Sequence, residues 1–249
     1  MTSKFNYLVS FYFGPRGNEN YNARLKDNKF FFAEKHIKFL ENYSENNIEK
    51  VIFVVNLTPN DNQEEITNFF AENSSKISDD IEFDLIFRNN YGFSYAAWNE
   101  GIIDDLQKED GEAKYYMCLE EDYMLRTDTS ILPLIERCNE VTPYVCCSAV
   151  IDHPNYPDHA SFSEGMFYKD SCRKVYEEKG NPFYIINGNN DYPHAWKIQE
   201  TFYKNFLDMG YKITDFLDGY SCDFLYTGSN EVKTFGESDT EKLIVPIMP

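Results

Sequence analysis

The chain has 249 residues, 42% of them apolar and 17% aromatic, with 19 Tyr and 21 Phe. This is enough apolar surface for a large core, so global disorder is excluded, and the length suits one large domain or a domain with a small appendage. Lys and Arg number 23 against 42 Asp and Glu, giving a formal charge of −19 and a pI near 4.5, which excludes general binding of nucleic acid or anionic membranes and means that a phosphate ligand needs a cation or a local basic pocket.

The opening segment, Met1 to Arg16, does not read as a signal peptide. Its apolar stretch, Tyr7 to Phe13, is interrupted by Ser10 and stops at Gly14 and Pro15. No run approaches the ~20 apolar residues of a membrane span. The six cysteines (Cys118, Cys138, Cys146, Cys147, Cys172, Cys222) form no C-x-x-C pair and read as buried thiols of a reducing, cytoplasmic compartment. Sequons at Asn42, Asn56 and Asn73 read as chance in an Asn-rich chain.

In chain order, Phe5 to Phe13 predicts a strand, followed by a polar loop. Phe30, Ala33, Ile37 and Leu40 recur at helical spacing. Val51 to Leu57 is a β-branched run of the kind found in buried parallel strands. Ile66, Phe69 and Phe70 mark a helix, Phe83 to Phe87 a strand, and Ala96 to Leu106 a third helix. Tyr115 to Leu119 is a fourth strand, ending at Glu120-Glu121-Asp122. Leu132 to Cys138 predicts a helix capped by Asp128, Thr129 or Ser130, and Tyr144 to Val150 a fifth strand. Loops are expected over 152–165, one long helix over 192–209 with a stripe of Ala195, Ile198, Phe202, Phe206 and Met209, and only turns and short strands after Asp218.

This alternation predicts an α/β fold, with a mostly parallel central sheet flanked by helices. Such sheets bind ligands at the carboxyl ends of their strands. The residues that follow the strands are therefore the candidates: Tyr12 to Arg16, Asn56 to Asp61, Arg88 to Gly92 and Glu120 to Tyr123. Glu120, Glu121 and Asp122 repel one another unless a cation joins them. Mg²⁺ or Mn²⁺ suits, because such ions take one or two carboxylates and fill their other positions with water and phosphate oxygens.

A strand that ends in Glu120-x-Asp122 resembles the D-x-D end of the glycosyltransferase-A fold. The segment Arg88-Asn89-Asn90-Tyr91-Gly92-Phe93-Ser94 with Ala96-Ala97-Trp98-Asn99-Glu100-Gly101 is similar to one in glycosyltransferase family 2. The strand Tyr7 to Phe13 and the late stretch Gln199-Glu200, Phe202 to Gly210 and Tyr211-Lys212-Ile213 add two further likenesses. The resemblance implies a single glycosyltransferase-A-like domain over 1–249. Residues 1–125 would bind the nucleotide sugar, 126–217 would form a looser acceptor half, and 218–249 a C-terminal tail.

It further implies a metal-dependent, inverting transfer of a sugar from a nucleotide-diphosphate donor (UDP, GDP or dTDP) to a hydroxyl of a glycan or other acceptor. Asp122 would coordinate the metal, Glu120 a sugar hydroxyl or metal water, and Glu121 would orient both. Tyr12 or Phe13 would stack on the base, with core packing as the other role open to Phe13. Asp61 stands in for the acidic nucleoside contact at Asn56. Arg88 would hold phosphate, pair with the triplet or form a surface ion pair, while Asn90 and Gly92 shape the loop. Glu200, or Asp191 in its place, would be the general base. His159 would complete the metal shell or act as a structural hydrogen-bonder, and Trp98 and Trp196 would stack on sugar or lie in the core.

Two other readings stay open. One is a sugar-1-phosphate nucleotidyltransferase, hinted at by Gly14-Pro15-Arg16-Gly17 after the first strand. The other is a non-catalytic glycan-binding protein of the same fold.

Overall fold

The structure, a computed structural model, describes residues 3–17, 19–108, 111–125, 131–150, 152, 154–155, 157–186, 192–215, 223–225, 232–234 and 244–246. In chain order the elements are β1 (Phe5–Phe11), α1 (Glu19–Asp27), α2 (Phe31–Asn42), β2 (Ile48–Leu57), α3 (Gln63–Ser74), β3 (Glu82–Asn89), α4 (Phe93–Lys108), β4 (Tyr115–Glu120) and β5 (Tyr123–Leu125). There follow α5 (Leu132–Arg137), β6 (Tyr144–Val150), β7 (His159–Tyr168), α6 (Lys169–Lys179), α7 (Tyr192–Thr201), α8 (Lys204–Asp208), β8 (Ile213–Asp215), β9 (Asp223–Leu225), β10 (Val232–Thr234) and β11 (Ile244–Pro246).

Seven strands form one sheet in the order β3-β2-β1-β4-β7-β6-β8. β1, β2, β3 and β4 are parallel, and β7 runs antiparallel to both neighbours. Every residue of β1 is buried, as a strand covered on both faces requires. On one face Tyr7, Val9, Phe53 and Met117 pack with Ala33 and Ile37 of α2 and Ile66 and Phe70 of α3. On the other, Leu8, Ile52 and Cys118 pack with Trp98 of α4, Val175 of α6, Ile198 of α7 and Phe206 of α8. Gly101 lets α4 close on the sheet: a Cβ there would stand 3.0 Å from Leu8 and 3.1 Å from Val54. Among the described residues no helix is long and apolar enough to cross a membrane.

The second half departs from expectation in several places. The stretch expected to be loop, 152–165, contains most of β7. Residues 151–158 are too few for a crossover, so the chain reverses and pairs antiparallel. The polar loop after β1 contains α1, and α6 fills a stretch with no assigned element. The long helix is interrupted between Thr201 and Lys204. There the consecutive rings of Phe202 and Tyr203 are both buried, 4.1 Å from Phe183 and 4.9 Å from Tyr144, and the Phe202 carbonyl accepts from Tyr184 N at 3.0 Å. The stripe of Ile198, Phe202 and Phe206 nonetheless faces the core, and Ala195 lies on α7. The caps expected at Asp128, Thr129 or Ser130 lie outside the described residues. Ile131 precedes α5 instead. The short strands expected late in the chain are β9, β10 and β11, and β11 pairs with β5.

The amino end of the sheet is held by a buried charge network. Both oxygens of Asp105 are occupied: Lys50 Nζ donates at 3.0 Å, Lys169 Nζ at 2.7 Å, the Tyr116 hydroxyl at 2.6 Å and Asn6 Nδ2 at 3.1 Å. Burial raises the Asp105 pKa, but the Lys169, Tyr116 and Lys50 contacts outweigh it and leave the pKa below the usual carboxylate value. Removing one member of such a group strands the others. We expect Asp105→Asn to lower unfolding stability by about 3 kcal/mol in urea denaturation, and a second change, Lys169→Met, to restore part of the loss. An unchanged midpoint in the single variant would contradict this.

Candidate functional site

At the opposite, carboxyl end of the sheet, β1 leaves through Tyr12, Phe13, Gly14 and Pro15 to Arg16. The Arg16 backbone is clamped by one side chain: its N–H donates to Asn22 Oδ1 at 2.8 Å and its carbonyl accepts from Asn22 Nδ2 at 2.7 Å. The guanidinium lies over the Tyr21 ring, 4.7 Å from the centroid, and reaches the turn after β4. There it donates to Glu120 Oε2 at 3.2 Å and to Glu121 Oε1 at 2.5 Å, and stands 3.5 Å from Asp122 Oδ1. So the acidic triplet is gathered around one arginine.

Three helices hold this turn. The Tyr21 hydroxyl of α1 lies 2.5 Å from Glu121 Oε1. His36 of α2 places Nε2 3.0 Å from the Glu121 carbonyl, and its Nδ1 is 2.8 Å from the Tyr7 hydroxyl of β1. A carbonyl only accepts, so His36 Nε2 carries the proton and Nδ1 accepts from Tyr7. Ser94, in the first turn of α4, donates to Glu120 Oε1 at 2.5 Å, and Trp98 Nε1 donates to the Leu119 carbonyl at 3.0 Å.

A fourth carboxylate joins from β7. Glu164 is 3% exposed, against 1% for Glu121 and 6% for Asp122. Burial raises the Glu121 pKa to about 8; Arg16 opposes this, and Asp122 and Glu120 add to it. Burial also raises Asp122, against Arg16 and with Glu120. Glu164 is pushed well up by burial and then by Glu120. One guanidinium therefore under-neutralises the group. Among the described residues, Glu121 Oε2 and Asp122 Oδ1 are buried and accept no hydrogen bond. Buried carboxyl oxygens without a donor suit a hard cation, whose charge favours their ionised form. As the side chains stand, however, no three His, Cys, Asp or Glu among the described residues converge as a metal cage, and Arg16 is the cation that contacts the triplet.

The structure assigns other positions to several expected site residues. Phe13 is a core residue, its ring 5.9 Å from Phe11 and 5.4 Å from Phe30. Tyr12 is half-buried beside the cluster, and Tyr21 hydrogen-bonds its carbonyl. Gly14 has no Cβ to strike the Tyr12 ring, which would lie 2.5 Å from one. Asp61 closes the turn after β2, accepting from Thr58 N at 2.7 Å and Thr58 Oγ1 at 2.8 Å.

Arg88 does not pair with the triplet. It is buried, pairs with Glu100 of α4 at 2.8 Å, donates to Asn56 Oδ1 and to the Tyr91 carbonyl at 3.0 Å, and stacks on the Tyr91 ring at 4.1 Å. Asn56 in turn donates to Ser10 Oγ at 2.9 Å, so these contacts stitch the ends of β1, β2 and β3 together. Asn90 N–H donates to the Leu57 carbonyl at 3.1 Å. Gly92, at φ +65, starts α4, and a Cβ there would stand 2.7 Å from that of Ala96. Trp98 is buried, and Trp196 lies on α7.

His159 begins β7, buried, with Nδ1 donating to the Pro157 carbonyl at 2.7 Å. Glu200 is half-buried on α7, and its neighbour Gln199 ties that helix to the Ala160 carbonyl of β7 at 2.8 Å. Among the described residues Glu200 forms no hydrogen bond or ion pair with the acidic cluster. Asp191 lies outside the described residues.

Sequence reasoning placed Arg16 in a candidate stretch without pairing it to the triplet, and missed Tyr21, His36 and Glu164 as members of the site. Arg16 carried a signal: a cation in the turn after the first strand of a very acidic chain. Glu164 alternates with Phe162 and Met166, a strand pattern masked by Ser161, Ser163 and Gly165.

No family model and no curated protein matches the chain. Among solved structures, a crystal structure of 4-diphosphocytidyl-2C-methyl-D-erythritol synthase is similar at 11% identity and a TM-score of 0.45, over 86% of this chain and 88% of that one.

His36 offers a direct check on the packing behind the site. Burial lowers its pKa to about 4 from the usual 6.5. The unfolded chain therefore takes up the proton first, and the His36 contribution is lost as pH falls from about 6.5 towards 4. A shift of that size corresponds to roughly 3 kcal/mol. His36→Gln, which can still donate to the Glu121 carbonyl, should lose less stability over this window than the parent. Parallel stability profiles in urea titrations would contradict the assignment.

Proposed function

We propose that the chain is a nucleotide-sugar-dependent glycosyltransferase with one catalytic domain. It would move a sugar from a nucleoside diphosphate donor to a hydroxyl of a glycan or other acceptor, with inversion. The observation that carries the reading is the carboxylate cluster at the carboxyl end of β4, joined by Glu164 of the antiparallel β7, with two buried oxygens that accept no hydrogen bond among the described residues. In an open α/β sheet this edge is where ligands bind, and an acidic end beside a nucleotide diphosphate calls for a divalent cation. Asp122 and Glu120 would hold Mn²⁺ or Mg²⁺. When bound, such an ion stabilises negative charge on a departing diphosphate.

The chain's own residues have separate tasks in this reading. Ser94 and Arg16 orient Glu120 by their hydrogen bonds to its two oxygens. His36 and Trp98 fix the backbone on which the triplet rides. Tyr12, half-buried at the mouth of β1, is the stacking surface for the base. Glu200, or Asp191 in its place, takes the acceptor proton from the side of α7. The free thiols at Cys118, Cys138 and Cys172 suit a cytoplasmic enzyme.

A second reading is favoured by one observation. Arg16, in the turn after the first strand, reaches into the site, as a nucleotidyltransferase using a sugar 1-phosphate and a nucleoside triphosphate would require.

Thermal unfolding against UDP, GDP and dTDP, with and without Mn²⁺, tests the proposal. A ligand near 100 times its Kd adds about 2.7 kcal/mol, or roughly 5 °C for a chain of this size. We expect one nucleotide with metal to give such a shift, and Asp122→Ala to abolish it. No shift with any nucleotide would overturn the donor site. Pyrophosphate release from a triphosphate and a sugar 1-phosphate would favour the second reading.

A further inference from the structure

We propose that Arg16 is an exchangeable counterion: it holds the acidic turn until a divalent cation takes its place, and the displaced guanidinium then serves the diphosphate that arrives with that cation. This rests on the donor-site reading above and adds a gate to it.

Three observations support the exchange. First, the guanidinium is an incomplete partner. It hydrogen-bonds Glu120 and Glu121 but stands 3.5 Å from Asp122 Oδ1 without a hydrogen bond, and Glu121 Oε2 also accepts none. A dication offers the same oxygens twice the charge in a smaller volume. Second, the layering permits exit. The Arg16 side chain is 28% exposed, against 22% for Glu120, 9% for Asp122 and 2% for Glu121, so the arginine lies on the solvent side of Glu121 and Asp122. Third, the two Asn22 hydrogen bonds hold the Arg16 backbone and leave the side chain to rotate about a fixed root. A displaced guanidinium stays at the mouth of the cleft, within its own length of the triplet. There its planar donors match phosphate oxygens bidentately.

The alternative, a permanently seated arginine that only cements the turn, makes the opposite prediction for metal affinity. A permanent cement loses its support when removed, so metal affinity should stay equal or fall. An exchangeable counterion competes with the metal, so its removal should raise affinity. A hydrogen bond to a charged group contributes about 1.5–3 kcal/mol, so the rise should be at least about tenfold.

The experiment counts free Mn²⁺ by electron paramagnetic resonance during titration of the full chain, for the parent and Arg16→Gln, with Mn²⁺ alone as the probe. We expect R16Q to bind Mn²⁺ at least about tenfold more tightly than the parent, and Mn²⁺ to raise its unfolding midpoint more than the parent's. Equal or weaker binding by R16Q would overturn the exchange. Should R16Q not fold without metal, Arg16→Lys replaces it. A shorter point charge serves fewer of the three carboxylates, so R16K should also bind Mn²⁺ more tightly than the parent, and binding no tighter would overturn the exchange. If no variant binds Mn²⁺ while a nucleotide still raises the midpoint, the exchange fails and the donor site stands. If neither metal nor nucleotide binds, both fail.

Discussion

Three carboxylates in a row at the end of a buried strand repel one another, and in this protein one guanidinium draws them together. Arg16 contacts Glu120, Glu121 and Asp122 from the turn after β1. That ion cluster couples β1 to its parallel neighbour β4 at their carboxyl ends. It also explains why α1, α2 and α4 each send a polar group there: Tyr21, His36 and Ser94 fix the groups that Arg16 alone cannot.

The sheet carries two buried charge clusters, and the contrast between them separates scaffold from site. At the amino end both oxygens of Asp105 are taken, by two lysines, a tyrosine and an asparagine. A carboxylate satisfied in this way stabilises one packing and keeps neither of its own oxygens for a ligand. At the carboxyl end, four carboxylates share one arginine, and two of their buried oxygens accept no hydrogen bond. β4 joins the two ends, with Tyr116 bonded to Asp105 and Glu120 closing the strand. A rigid floor thus supports an under-neutralised opening.

The first half was readable because each buried parallel strand is a dense apolar run and each helix repeats its core residues at helical spacing. Val51 to Leu57 and the stripe of Ala33 and Ile37 are clear in both respects. The second half was obscured by local chemistry that tertiary pairing overrides. β7 begins with His159 and carries Ser161, Ser163 and Gly165, all of which suggest loop. Its identity comes from β4 and β6 on either side, which no local window contains. The break in the late helix likewise depends on Phe183 and Tyr144, distant in sequence. In the site, the triplet was visible because it directly follows a strand. Glu164 meets it only through the antiparallel register that sets Gly165 against Cys118. Arg88 reads as a cleft cation from its position at a strand end, yet its partner is Glu100, one helix away.

At the acidic end of β4, in this proposal, a cation enters and Arg16 leaves. A crystal structure of the protein with Mn²⁺ and the nucleoside diphosphate that stabilises it most, with manganese located by its anomalous scattering, tests this most directly. We expect an anomalous peak against Asp122 and Glu120, with the Arg16 guanidinium turned from the triplet onto the phosphates. Arg16 still seated on all three carboxylates, with no anomalous peak beside them, would contradict it.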